Sequence, residues 1–256
     1  MSLMSHLHLL VLLLATCGCL SAAQQQQTLD PLNNFCRRFA HQTTVIGNRL
    51  FVDGGLVDYG NTVYPSTVND TNTYLLYLDL DTLNEYNFPT EYANLSKPSE
   101  VPSVQGGILW ADTVNQIFYL YGGEYNWTTS PPSQYTLWAY DAVYNNWSAT
   151  PSASSSSGIT GVSFGAGTVV DASALAFYYG GYQSNATVLG WNGGPIAQTG
   201  LIVYDMINND WKNTSFFDQT PRAEGVMLNI PASDSGMLIY LGGIQQTSNG
   251  SYVGVS

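Results

Sequence analysis

Positive charge is scarce in this chain: six Lys and Arg stand against 18 Asp and Glu, a net charge of −12. Nucleic-acid affinity rests largely on clustered Lys and Arg, so a phosphate-backbone partner is excluded. Charge of either sign is thin, at 9% of residues, and polarity falls mainly to Ser, Thr, Asn, Gln and Tyr. Histidine is rarer still. Two of the three (His6 and His8) lie in the first 23 residues, which leaves His41 as the one imidazole beyond them. A metal centre or nucleophile–base pair built on histidine then has a single candidate. His41 reads as a structural residue at a strand start, and neither metal nor cofactor is expected. Of three cysteines, Cys17 and Cys19 share the same N-terminal stretch and Cys36 stands alone. That excludes a disulfide-stapled scaffold and leaves an intermolecular bridge, a buried thiol or an absent partner as readings. The longest apolar run, Leu9–Ala15, is shorter than the ~18 residues a membrane span requires. It is followed by Ser21–Ala22–Ala23, small residues suited to signal-peptidase cleavage. Residues 1–23 are therefore expected to be a signal peptide and 24–40 an N-terminal segment. The rest is placed outside the cell or at its surface, with no transmembrane segment.

What the chain does have is asparagine in acceptor triplets and a repeated strand grammar. Asn69, Asn94, Asn126, Asn146, Asn185, Asn213 and Asn249 each begin Asn-X-Ser/Thr with a non-proline middle residue, the pattern of N-glycosylated surface positions. Aromatic and β-branched runs end in paired glycines at Gly54–Gly55, Gly122–Gly123, Gly180–Gly181 and Gly242–Gly243, at intervals of 68, 58 and 62 residues. An Asp closing the next strand follows the first glycine by 25, 19 and 25 residues (Asp79, Asp141, Asp205), and Trp147 and Trp211 each follow their Asp by six. Order and spacing kept inside a unit while loops vary are the mark of an internal repeat. Tyr86, seven after Asp79, reads as the first unit's counterpart of the Trp, on a short fourth strand over 85–88. The glycines permit positive φ and close backbone approach where the second strand ends. Asp141 and Asp205 are expected to hold turn amides, and each Trp to pack on a neighbouring sheet.

The diglycine, Tyr140–Asp141 with Trp147, and Tyr204–Asp205 with Trp211 resemble kelch repeats. Leu78–Asp79 departs from that pattern in the first unit. The resemblance implies an all-β fold, a kelch-type beta-propeller with blades near 41–88, 104–150, 163–214 and an incomplete 221–256. About three and a half four-stranded blades are then present, a partial or open propeller. With its leader, its sequons and Asn34–Phe35–Cys36–Arg37–Arg38–Phe39–Ala40–His41, the chain is similar to secreted or cell-wall-associated fungal kelch proteins, in an apparently truncated form. The copper-oxidase relatives of such propellers need two His ligands, and the iron-dependent lyase-like ones a Glu-Asp-His cluster. A single His at position 41 meets neither requirement.

Function is less legible. A glycosidase needs two carboxylates roughly 5–9 Å apart, and Asp53, Asp58, Asp112, Glu124, Asp171 and Glu224 are the candidates, with Asp53 and Glu124 bordering equivalent diglycines. No Gly-rich phosphate loop occurs. The favoured expectation is a protein-interaction or glycan-binding module presenting Tyr125, Trp127, Tyr182 and Trp191 on loops after the diglycines. An extracellular carbohydrate-active enzyme, or an incomplete product without a role of its own, are the alternatives.

Overall fold

In the computed structural model, residues 30–33, 36–59, 70–126, 129–151, 158–214, 219–232 and 236–255 are described. The expected leader over 1–23, Asn69, Trp127 and the Ser-rich run 152–157 lie outside them, as does the side chain of Asn94. Residues 31–256 form one compact unit. It is all-β and built from consecutive antiparallel sheets. The first sheet runs Gln42–Ile46, Arg49–Asp53, Tyr74–Asp79, Thr90–Ser96; the second Val104–Asp112, Ile117–Tyr125, Trp138–Asp141, Asn146–Ala149. The third runs Ala166–Val170, Leu175–Tyr179, Leu201–Asp205, Asp210–Thr214, and the fourth has the two strands Val226–Ile230 and Met237–Leu241. In each, strands pair in chain order. The sheets do not close on themselves, and the arrangement is that of a partial propeller.

Each apolar core lies between two sheets, since one sheet cannot bury both its faces alone. Ile46, Phe51 and Leu75 of the first sheet meet Leu109, Phe118, Leu120 and Tyr140 of the second. Trp110, Tyr119 and Tyr121 of the second meet Ala176, Tyr178, Ile202 and Tyr204 of the third. Ala166 and Tyr179 meet Met227 of the fourth. Trp211 lies 4.5 Å from Tyr204 in its own sheet and 5.5 Å from Tyr121 in the preceding one, so its ring bridges the two. Trp147 packs edge-on to Phe118, with the Lys97 ammonium 5.3 Å from its ring centre.

The first unit differs from its expected form. Its fourth strand is Thr90–Ser96, beyond 88, and residues 84–87 make a tight turn in which Asn84 Oδ1 accepts from the Tyr86 amide. Tyr86 is 84% exposed and takes no part in the core. Opposite Leu78, where the Trp would stand, is Glu91, which binds Arg38 instead. The N-terminal strand Arg37–Phe39 pairs with Leu56–Asp58 of its own unit and closes nothing.

Candidate functional site

The diglycines build the joints between sheets and, just past them, one face of the arc. All eight glycines have positive φ. A Cβ on Gly54, Gly122 or Gly180 would lie 2.1–2.3 Å from the carbonyl oxygen of Val104, Val162 or Arg222, each from the segment leading into the next sheet. The following glycine, Gly55, Gly123 or Gly181, donates its N–H to that same carbonyl at 2.8 Å. Each pair is therefore a socket for the next blade, which gives the close approach a definite partner.

Two residues beyond each inserted carbonyl runs a second ladder. Gly106 N–H donates to Ala40 C=O, Phe164 N–H to Gly106 C=O and Glu224 N–H to Phe164 C=O, at 2.6–2.8 Å. All four residues are left-handed, with φ between 53° and 63°. For Ala, Phe and Glu that conformation costs about 1–2 kcal/mol each, and the ladder holds it. Nothing in composition marked this register, because only one of the four is glycine. Two residues before each inserted carbonyl is another anchored one. Tyr121 Oη donates to Thr160 C=O and Tyr179 Oη to Thr220 C=O, both at 3.3 Å. The first sheet has Asp53 in place of that Tyr. There the buried Lys97 ammonium bonds Pro102 C=O at 2.7 Å and Asp53 at 2.6 and 2.8 Å, with Gln42 Nε2 donating to the same carboxylate. Burial lowers the Lys97 pKa, against the opposing charge and hydrogen bond of Asp53. An Asp directly before a diglycine, where the other full units carry Tyr, was the available sequence signal.

Beyond the sockets the chain opens a cleft of about 460 Å³, lined by Thr71, Gln105, Glu124, Tyr125, Asn126 and Asn185 among others. Glu124 is held by Gln105 Nε2 and Ser163 Oγ, both at 3.2 Å, and the Tyr125 amide donates to Ala186 C=O. Desolvation pushes the Tyr125 hydroxyl up to about 12. Tyr182 donates to Glu224 at 3.1 Å, and burial, then Glu224, raises its pKa. Trp191 is held locally, its Nε1 donating to Gly194 C=O at 3.1 Å.

The six candidate carboxylates have different partners. Asp53 is in the buried pair, Asp58 binds Arg37, Asp112 closes the Asn115 turn, Asp171 opens a 3₁₀ turn, and Glu224 holds Tyr182. Glu124 alone lines the cleft. Asp141 Oδ1 accepts from the Val143 and Tyr144 amides, Asp205 Oδ1 from Ile207 and Asn208, and Asp79 Oδ1 from Asp81. Partial burial and Arg38 lower the pKa of His41 just before the Gln42–Ile46 strand. Cys36 is exposed, which removes the buried-thiol reading. Among the described residues no group of three or more His, Cys, Asp or Glu is placed to hold a metal ion, and no helix is long and apolar enough to cross a membrane. Asn94, Asn146 and Asn213 fall on the outermost strands of the first three sheets, and Asn126 and Asn185 on the cleft. Asn146, Asn185, Asn213 and Asn249 are exposed.

No family model matches the chain. It is similar to a Kelch repeat-containing protein of the fungus Arthroderma benhamiae, 27% identical over 169 residues, which cover 62% of this chain and 25% of that protein. The chain thus spans about a quarter of the length of that relative.

Proposed function

We propose that the chain is a binding module of a secreted or cell-surface glycoprotein of kelch type, and that its ligand is a neutral, hydroxyl-rich glycan. The observation that carries this is the cleft. At about 460 Å³ it falls within the size range of ligand sites. Its polar lining is amide and hydroxyl, from Gln105, Asn126, Asn185 and Thr71, with one carboxylate, Glu124, held by Gln105 and Ser163, and with Tyr125 and Pro131 as apolar surface. Hydroxyl groups of a sugar find both donors and acceptors in such a lining, and an acidic chain suits an uncharged ligand better than an anionic one. The seven sequons and the expected leader support a position of this face outside the cell, and glycans carried on Asn126 and Asn185 would stand at the cleft margin.

The test is expression of the full chain in a secreting host, enzymatic removal of its N-glycans with the mass loss recorded, then glycan-array binding and calorimetric titration of the strongest hit. Saturable binding weakened at least tenfold by Gln105→Ala or Tyr125→Ala supports the reading. Saturable binding indifferent to both variants, or none across the array, contradicts it.

A further inference from the structure

Beside the cleft lies a second, smaller hollow of about 90 Å³. That is room for a side group of a few heavy atoms and not for a sugar ring. Tyr125 lines both spaces. Glu124 and Ala186 belong to the cleft, Gly123 and Thr187 to the hollow. The two therefore adjoin where the Tyr125 N–H donates to the Ala186 C=O at 2.9 Å.

Two tyrosines supply the hollow with hydroxyl donors. Tyr135 is held in place: its ring packs edge-on against Tyr121 at 5.3 Å and Trp211 at 6.4 Å, and its Oη accepts the Gly122 N–H at 3.1 Å. With its oxygen so engaged, what this hydroxyl chiefly has left to offer is its hydrogen. Among the described residues neither that hydrogen nor the Tyr125 hydroxyl has an acceptor. Burial pushes Tyr125 up to about 12 and holds Tyr135 well above the ordinary value, the second against the Gly122 bond and with a further rise from Tyr125. Both remain protonated donors at neutral pH. The other hydroxyls are already used: Thr160 accepts from Gln183 Nε2, and Thr187 is bonded to the Ser184 backbone. Pro132, Ile159, Val188 and Leu189 give the hollow its apolar wall, and among the described residues no charged side chain lines it.

Such a space suits a compact, uncharged group with an acceptor oxygen at one end and a methyl at the other. We infer that it takes the acetamido group of a sugar whose ring lies in the cleft, so that the ligand class is an acetamido glycan. This rests on the cleft being the glycan site. The acetamide oxygen accepts from the Tyr125 and Tyr135 hydroxyls, and its methyl covers the Ile159 and Leu189 wall. A sugar hydroxyl in the same place would leave that wall in water, and burying the methyl is what favours the acetamide. An anionic substituent would meet no counter-ion there.

The test is a glycan array bearing matched glycans that differ only in an acetamido group or a hydroxyl, such as the β-linked trimers of N-acetylglucosamine and of glucose. The strongest pair is then titrated by calorimetry against the full chain, its N-glycans removed. The expected result is at least tenfold tighter binding of the acetamido member. Tyr125→Phe and Tyr135→Phe should each cut that ratio about three- to tenfold, the worth of one hydrogen bond. Tyr125→Phe removes no hydrogen bond of the folded chain, so it decides the matter if Tyr135→Phe, which strips the Gly122 N–H of its acceptor, proves unstable in a thermal melt. Equal affinity for the two members, with Gln105→Ala weakening both, overturns the acetamido assignment and leaves the cleft a glycan site. An acetamido preference untouched by Tyr125→Phe overturns it as well, since the group then sits elsewhere. Binding to no glycan overturns this inference together with the cleft reading.

Discussion

Replacing Gly122 by Ala tests the socket, and Gly242 supplies its own control. The two glycines have nearly equal φ, 67° and 66°, so Ala meets the same backbone penalty at both, about 1–2 kcal/mol. They differ in what the new methyl meets. At Gly122 it lies 2.3 Å from the Val162 carbonyl oxygen, closer than any van der Waals contact, whereas at Gly242 the nearest atom, the Val255 carbonyl oxygen, is 4.0 Å away. The Val162 segment must withdraw in the first case, and the buried Gly123 N–H then loses its acceptor, at a further ~1–3 kcal/mol. Gly122→Ala should therefore cost about 2–5 kcal/mol and Gly242→Ala about 1–2 kcal/mol. Urea unfolding, followed by tyrosine and tryptophan fluorescence, reads both values. Equal costs at the two positions would mean that the pair serves only to turn the chain, and the joint would be refuted.

The buried Asp53–Lys97 pair yields a second expectation. Lys97→Met leaves the Asp53 carboxylate buried without its cation and should cost about 3–5 kcal/mol. Combining it with Asp53→Asn should recover a good part of that loss, as read by the same urea titration; a double variant as unstable as the single one would sink the pairing argument. Alkaline pH supplies a third. Tyr125 and Tyr140 are raised to about 12, and Tyr121 and Tyr135 lie well above the ordinary value, chiefly through burial. The folded state thus holds these hydroxyls neutral where the unfolded chain ionises them. Their contribution to stability is full below pH ~10 and declines as pH rises through ~12. Tyrosinate absorbance should show one class titrating near pH ~10 and a second appearing only with unfolding, and a single class near pH ~10 would contradict the burial.

Legibility followed how local the signal was. The Asp and the Trp recur six residues apart because one hairpin, between the third and fourth strands, fixes both, so units two and three could be read from the sequence down to Trp147 and Trp211. The first unit misled at Tyr86. Asn84 turns the chain there, and the outer strand forms later, with Glu91 opposite Leu78. The left-handed ladder was invisible because neighbouring sheets, not residue type, hold Ala40, Phe164 and Glu224 in that conformation. Asp53 and Glu124 seemed equivalent, one before and one after a diglycine. The glycine pair separates them, sending one into the interior against Lys97 and the other onto the cleft. The cleft itself gathers residues from three units far apart in sequence, and no short motif announces such a meeting.

Amide exchange at the joints, measured residue by residue, tests the sockets most directly. Gly55, Gly123 and Gly181, which donate to the next sheet, should exchange slowly, as should Gly106, Phe164 and Glu224 of the ladder. Gly243 should exchange at the rate of an open loop. Rapid exchange at the first three glycines, or protection at Gly243 equal to theirs, would contradict them.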